Sequence, residues 1–227
     1  MIKPPRRRPV AEVVRLARGI ATLPSAFVAG RRLPRGQGET VLVVPGFLTG
    51  DGSTLALRSF LNRLNYRAHG WGLGRNMGNV PALVPRVAAR IAELARQTER
   101  PIKLVGWSLG GVLAREAIRL HPGRVDRVVT MGTPVVGGPK YTVAAEYYRR
   151  RGFDLDHVEE RFAEANSAPL PVRITAIYSR LDGVVAWKAC IDHNPHNNVE
   201  HVEVEAGHAE LGFSSRVFRI VAQSLSE

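Results

Sequence analysis

Short, mainly apolar runs alternate along this chain with longer stretches whose apolar residues return every third or fourth position. Val41–Val44 is one such run, closed by Pro45-Gly46; others are Ile102–Trp107, Val125–Met131, Val172–Tyr178 and Val199–Glu205, with a weaker one at Tyr66–Trp71. Runs of this kind suit strands buried on both faces of a parallel sheet. Between them, Val84, Val87, Ala88, Ile91, Leu94 and Ala95 form a helical stripe, with Pro81 suited to its first turn. Leu109–Leu120 is a second helix, and a last one carries Val217, Ile220, Val221 and Leu225 on one side with Ser214 as its cap. Near the N-terminus, Val10, Val13, Val14, Ala17, Ile20 and Ala21 recur at helical spacing, predicting an amphipathic helix over 9–22 that Pro24 ends.

Strands alternating with helices predict an α/β fold whose mostly parallel sheet is flanked by helices on both faces. The division expected is a basic arm, helix and linker over 1–39, residues 1–8 being read as disordered, and a main domain over 40–227. Residues 139–171 break the rhythm. They place Tyr141, Tyr147, Tyr148, Phe153 and Phe162 among charges, over a length that exceeds an ordinary connection, and are expected to form a small helical cap.

Composition narrows the class. With 227 residues, 44% apolar and 23% charged, the chain is expected to fold around a buried core rather than to be fibrous or disordered. Its one cysteine, Cys190, allows no internal disulfide. The net charge of +12 would ordinarily raise nucleic acid as a partner. Eight of those twelve charges, however, come from residues 1–35, where nine Lys and Arg side chains face a single acid, Glu12. The rest of the chain is near-ordinary, so nucleic acid is not expected.

Chemistry is concentrated where the Ile102–Val105 run enters Gly106-Trp107-Ser108-Leu109-Gly110-Gly111 and then a helix. A nucleophile on a tight strand-to-helix turn needs glycine two residues to either side, because larger side chains would collide there. The helix N-terminus aims free N–H groups at a developing anion. A serine hydroxyl also needs a base, and the base an orienting carboxylate. Asp182 and His208 follow two later strands and would stand at the same sheet edge, where sites of such sheets cluster. Asp192 is the rival acid, placed beyond the strand end. His193 and His196 flank Pro195 in a polar loop, which argues against a metal pair on a helix; no metal and no cofactor are expected. The oxyanion would be met by the backbone N–H groups of Leu109 and Phe47, the latter in the loop after the first strand, where Gly46 permits close approach.

These features together resemble the α/β-hydrolase superfamily, and within it small bacterial lipases and carboxylesterases. The resemblance covers residues 40–225 and rests on Pro45-Gly46-Phe47, Gly106–Gly111, Gly132-Thr133-Pro134, Leu181-Asp182-Gly183-Val184-Val185 and Gly207-His208. It implies the α/β-hydrolase fold with a reduced sheet, and a catalytic triad of Ser108, His208 and Asp182 acting through an acyl-enzyme. Many relatives have His-Gly where this chain has Pro45-Gly46, and the first antiparallel strands of the full fold are missing, replaced by the basic helix and linker.

The function expected is hydrolysis of a small-molecule carboxylic ester with an apolar acyl or aromatic group. Leu48, Trp107, Val135 and Val184 are expected to bind it, among wider apolar candidates that include Trp71, Leu73, Val136, Val185 and Trp187. An acyltransferase or thioesterase using the same triad, and a non-catalytic binder on the same fold, remain open at this point. No run of apolar residues is long enough to span a membrane, so a cytoplasmic location is expected. The basic helix either docks on the body, the favoured reading, or makes peripheral contact with an anionic membrane.

Overall fold

The sheet begins with β1 (Thr40–Val44), five residues buried on both faces. Val41 and Val43 belong to one apolar layer, Leu42 and Val44 to the other. β-Branched residues on a doubly covered strand give this alternation its two cores. β2 (Arg67–Gly70), β3 (Ile102–Trp107), β4 (Val125–Met131), β5 (Arg173–Tyr178) and β6 (Val199–Glu203) complete a six-stranded sheet in the order β2-β1-β3-β4-β5-β6. Every pairing is parallel. This computed structural model describes residues 2–5 and 9–227, without the side chains of Ala29 and Arg31. Met1 and Arg6–Arg8, in the arm expected to be disordered, lie outside the described residues.

One core layer is covered by α3 (Val80–Thr98) and α4 (Leu109–Leu120), which bury Val87, Ile91, Leu113 and Ala117 against Leu42 and Leu104. Pro81 sits in the first turn of α3, and the Asn79 side chain accepts the Ala82 N–H there. The opposite layer is covered by α1 (Pro9–Ala29), α2 (Leu55–Arg63) and α8 (Ser215–Ser226), α8 being capped by the Ser214 hydroxyl. The periodicity did not announce α2. It is short, and its buried Leu57, Phe60 and Leu61 are interleaved with Arg58, Ser59 and Asn62. Between β4 and β5 lie α5 (Ala145–Arg150) and α6 (Leu155–Ser167), and α7 (His208–Leu211) is a single turn after β6.

One expectation for the N-terminal helix needs correcting. It does not stop before Pro24 but runs on to Ala29, and the hydroxyls of Thr22 and Ser25 donate to the Gly19 and Thr22 carbonyls in the turn around the proline. Tertiary contacts of the last turns, where Ala26 is buried and Phe27 meets Phe60 edge-on at 5.7 Å, override the local cost of proline. Which of its faces meets the body, which the spacing left open, is decided by the structure. The helix packs on α7 and α8, yet the apolar stripe Val10, Val13, Val14, Ala17, Ile20 and Ala21 is turned to solvent. Glu12, Arg15 and Arg18 bond to the body, and Leu23, Ala26 and Phe27 pack on its core.

Candidate active site

Ser108 sits between β3 and α4 at φ 55, ψ −123, a left-handed backbone strained for any residue with a side chain. The neighbouring glycines show why the chain tolerates it. A Cβ on Gly106 would lie 2.4 Å from the Gly111 Cα, and one on Gly110 2.2 Å from the Val44 carbonyl oxygen. Two hydrogen bonds hold the turn from β4 and the loop after it: Ser108 N–H donates to the Met131 carbonyl at 2.8 Å, and the Thr133 hydroxyl donates to the Ser108 carbonyl at 3.0 Å. The Gly-Thr-Pro segment is thus a brace for the serine turn, and Gly111 makes room for the Thr133 hydroxyl.

Asp182 and His208 meet above this turn. Asp182 Oδ2 lies 2.7 Å from His208 Nδ1, while Oδ1 accepts the Val184 and Val185 N–H groups at 2.8 and 2.7 Å. A carboxylate only accepts, so Nδ1 carries the proton and Nε2 keeps its lone pair. Both residues are buried. Burial pulls the imidazole toward the neutral form, but the Asp182 carboxylate, by charge and hydrogen bond, and Glu12, by charge, outweigh it and hold His208 above its ordinary value. Gly132, at φ +57, leaves the space these groups use: a Cβ there would lie 3.1 Å from both Asp182 Oδ2 and His208 Nδ1. Ser108 and His208 line one cavity without a direct hydrogen bond between their side chains; such contacts commonly tighten only around substrate.

Two side chains tie the acid and histidine loops together, and neither was expected at the site. The buried Ser179 hydroxyl accepts the Leu181 N–H at 3.0 Å and the Ala206 N–H at 3.2 Å. Glu12, on α1, accepts the Gly183 N–H at 2.9 Å and the Ala209 N–H at 3.4 Å, spanning the residues next to Asp182 and His208. Its partners lie 171 and 197 positions away. No local pattern signals such a contact.

The loop after β1 is also braced from a distance. Asn76, fully buried, donates from its side chain to the Pro45 carbonyl at 3.0 Å and accepts the Gly78 N–H at 3.1 Å. Its backbone N–H donates to Thr49 and its carbonyl accepts the Leu48 N–H, both at 2.8 Å. Leu48 takes φ 60 in consequence of this turn. Among the described residues, the Phe47 N–H has no partner within the chain. The Leu109 N–H opens a helix and so has none inside it. Both residues line the same cavity as Ser108.

That cavity measures about 510 Å3 and its walls are chiefly apolar. Leu48, Trp107 and Val184 line it, as expected from the sequence, and Val185 joins them. Val135 does not. The tight turn after Thr133 directs it to a second, smaller depression beside Val136 and Asn166, and Pro134 takes its place. Of the wider apolar set, Trp71 and Leu73 pack in the core and Trp187 stacks on Tyr178 at 5.9 Å. Val143, Tyr147 and Tyr148, from the segment between β4 and β5, complete the wall. Phe47 packs against Tyr147 and Tyr148 at 5.1 and 5.8 Å, and the Tyr148 hydroxyl donates to the Gly78 carbonyl, joining α5 to the loop after β1.

Solved structures share this architecture. Aspergillus fumigatus lipase B superposes with a TM-score of 0.64 at 17% identity, over 84% of this chain and 53% of that one. A Bacillus licheniformis lipase in mature form gives 0.63 at 15% identity, over 83% and 92%. The chain has the α/β-hydrolase fold. No family model matches the sequence. A pimeloyl-[acyl-carrier protein] methyl ester esterase of Edwardsiella ictaluri is 32% identical over 93 residues, 41% of this chain and 33% of that protein. A protein of the same description from Aromatoleum aromaticum is 31% identical over 87 residues, 35% of its length. The match thus spans about a third of each curated relative.

Within this α/β-hydrolase fold the rival residues are otherwise engaged. Asp192 forms a buried ion pair with Arg115 at 2.7 Å and also accepts the Asn194 N–H and the Asn197 side-chain amide. Burial alone would raise its carboxyl; Arg115 and these donors hold it below the usual range. His201 accepts the Asp192 N–H at Nε2. His193 and His196 border the second depression. Among the described residues, no group of three or more His, Cys, Asp or Glu side chains is arranged to hold a metal ion.

Proposed function

We propose that the protein hydrolyses carboxylic esters through Ser108, His208 and Asp182. The observation that carries this reading is the Asp182–His208 hydrogen bond of 2.7 Å, with His208 and the strained Ser108 turn lining one apolar cavity. His208 Nε2 takes the Ser108 proton as the oxygen attacks the ester carbonyl, and Asp182 keeps the ring in the tautomer that permits it. The Phe47 and Leu109 N–H groups receive the oxyanion. His208 then returns the proton to the departing alcohol, leaving an acyl-enzyme, and water activated by the same ring releases the acid. The apolar walls suit an acyl chain or an aromatic ester. Both curated relatives are named as methyl ester esterases, in agreement with ester cleavage.

The test is direct. Ser108→Ala should abolish hydrolysis of short p-nitrophenyl esters and labelling by a fluorophosphonate probe, with folding retained. Undiminished hydrolysis by that variant would overturn the reading. Thioester substrates, and product analysis with a competing alcohol, separate an esterase from a thioesterase or acyltransferase using the same groups.

A further inference from the structure

Helix α1 buries Ala26, with Leu23 and Phe27 packed beside it, yet carries a second apolar stripe on the face turned away from the body. A surface helix ordinarily buries its apolar stripe and shows its polar face to water. Here Val10, Val13, Val14, Ile20 and Val28 are 76%, 65%, 63%, 50% and 70% exposed, with Ala17, Ala21 and Pro24 exposed between them. The stripe follows one face for most of the 21 residues, a length of about 30 Å. Polar contacts in the first half of the helix, and the packing of Leu23, Ala26 and Phe27 in its last turns, fix this orientation. Arg15 donates to the Leu181 carbonyl, Arg18 pairs with Glu210 and donates to the Glu205 carbonyl, and Glu12 holds Gly183 and Ala209.

The flanking charge says what would cover the stripe. Lys3, Arg6, Arg7 and Arg8 precede it in sequence; Arg31, Arg32 and Arg35 follow it. The one acid of this stretch, Glu12, is turned inward and bonded. A second copy seated on the stripe would bring two strongly basic segments together, and the proline within it makes a poor seam for a helix pair. An anionic lipid surface meets both features, apolar face to acyl chains and cations to headgroups. Among the described residues no helix is long and apolar enough to cross a membrane, so the contact would lie in the plane of the surface.

We propose that α1 seats the protein on an anionic lipid surface through this stripe. Glu12 lines the cavity of Ser108, so the contact would hold the mouth of the site close to the lipid. The binding itself does not rest on the proposed reaction, and the two fail separately. The experiment is co-sedimentation of the full chain with phosphatidylcholine vesicles with and without phosphatidylglycerol, beside the variant carrying Val10→Ser, Val14→Ser and Ala17→Ser. The parent should bind the anionic vesicles, and bind less as salt rises. The variant should lose at least about tenfold in that binding while its hydrolysis of a soluble short-chain ester, if the parent shows any, and its thermal melting stay unchanged. Equal sedimentation with both vesicle types, a variant that binds like the parent, or a dimer in light scattering that the variant dissolves would each overturn the proposal.

Discussion

Replacing Asn76 with alanine tests whether the loop after β1 supplies an oxyanion donor. The substitution leaves the two backbone hydrogen bonds of residue 76 in place and removes two from the side chain, to the Pro45 carbonyl at 3.0 Å and from the Gly78 N–H at 3.1 Å. Asn76 is fully buried, so both partners are left without an acceptor or donor. Each such loss costs about 1–3 kcal/mol, and the pair therefore about 2–4 kcal/mol once the site relaxes, a fall in Tm of roughly 2–4 °C per kcal/mol. The kinetic effect follows from position. Pro45 lies two residues before Phe47, and release of its carbonyl frees the Phe47 N–H to drift. Complete loss of one oxyanion donor costs about 100- to 1,000-fold in kcat, so a displaced donor should cost about 10- to 100-fold, with KM little changed, because the contact matters chiefly in the transition state. Asn76→Asp sharpens the comparison: it keeps the bond from Gly78 but turns an acceptor toward the Pro45 carbonyl, and should be the worse of the two. The assay is kcat and KM on a short p-nitrophenyl ester, with thermal melting in parallel. A folded alanine variant with unchanged kcat would refute the reasoning.

Other expectations follow from the same contacts. Glu12→Gln removes a negative charge that helps keep His208 protonated; since the base must be neutral, the acid limb of kcat/KM against pH should move to lower pH, and a limb that stays put or moves up would count against the charge. Gly106→Ala would place a Cβ 2.4 Å from the Gly111 Cα, where backbone must shift; overpacking of about 1–3 kcal/mol and loss of ester hydrolysis should appear together in melting and rate measurements. Asp192→Ala strands the buried Arg115 charge and should cost about 3–5 kcal/mol in chemical denaturation, while replacing both partners by apolar residues costs less. Asp192 is held below the usual carboxylate range, so its contribution is present at neutral pH and fades as pH falls through that lowered value. Asp182→Asn should instead spare most of the stability and abolish turnover, which separates the roles of the two acids.

What the sequence shows by itself is local. The strand-turn-helix at Ile102–Leu120 is readable because its demands are met by neighbours: apolar strand, glycines two residues to either side of Ser108, apolar helix. β1, β3 and β4 are equally legible, since burial on both faces leaves almost no freedom of composition. α2 escaped notice because nine residues give too few turns for a period to emerge, and Pro24 misled because its penalty is local while the contacts of Ala26 and Phe27 are not. The site beyond the serine turn belongs to tertiary structure. That Asp192 pairs with Arg115 while Asp182 meets His208 depends on which loops the sheet order brings together. Asn76 braces a loop 31 positions away, and Glu12 reaches two loops at the far end of the chain. The outward stripe of α1 is the sharpest case. Periodicity revealed that the helix has an apolar side, but the contacts of Glu12, Arg15 and Arg18, with the burial of Ala26, decided which side faces the protein. A hydrogen-bonded partner fixes direction, and hydrophobic spacing by itself does not.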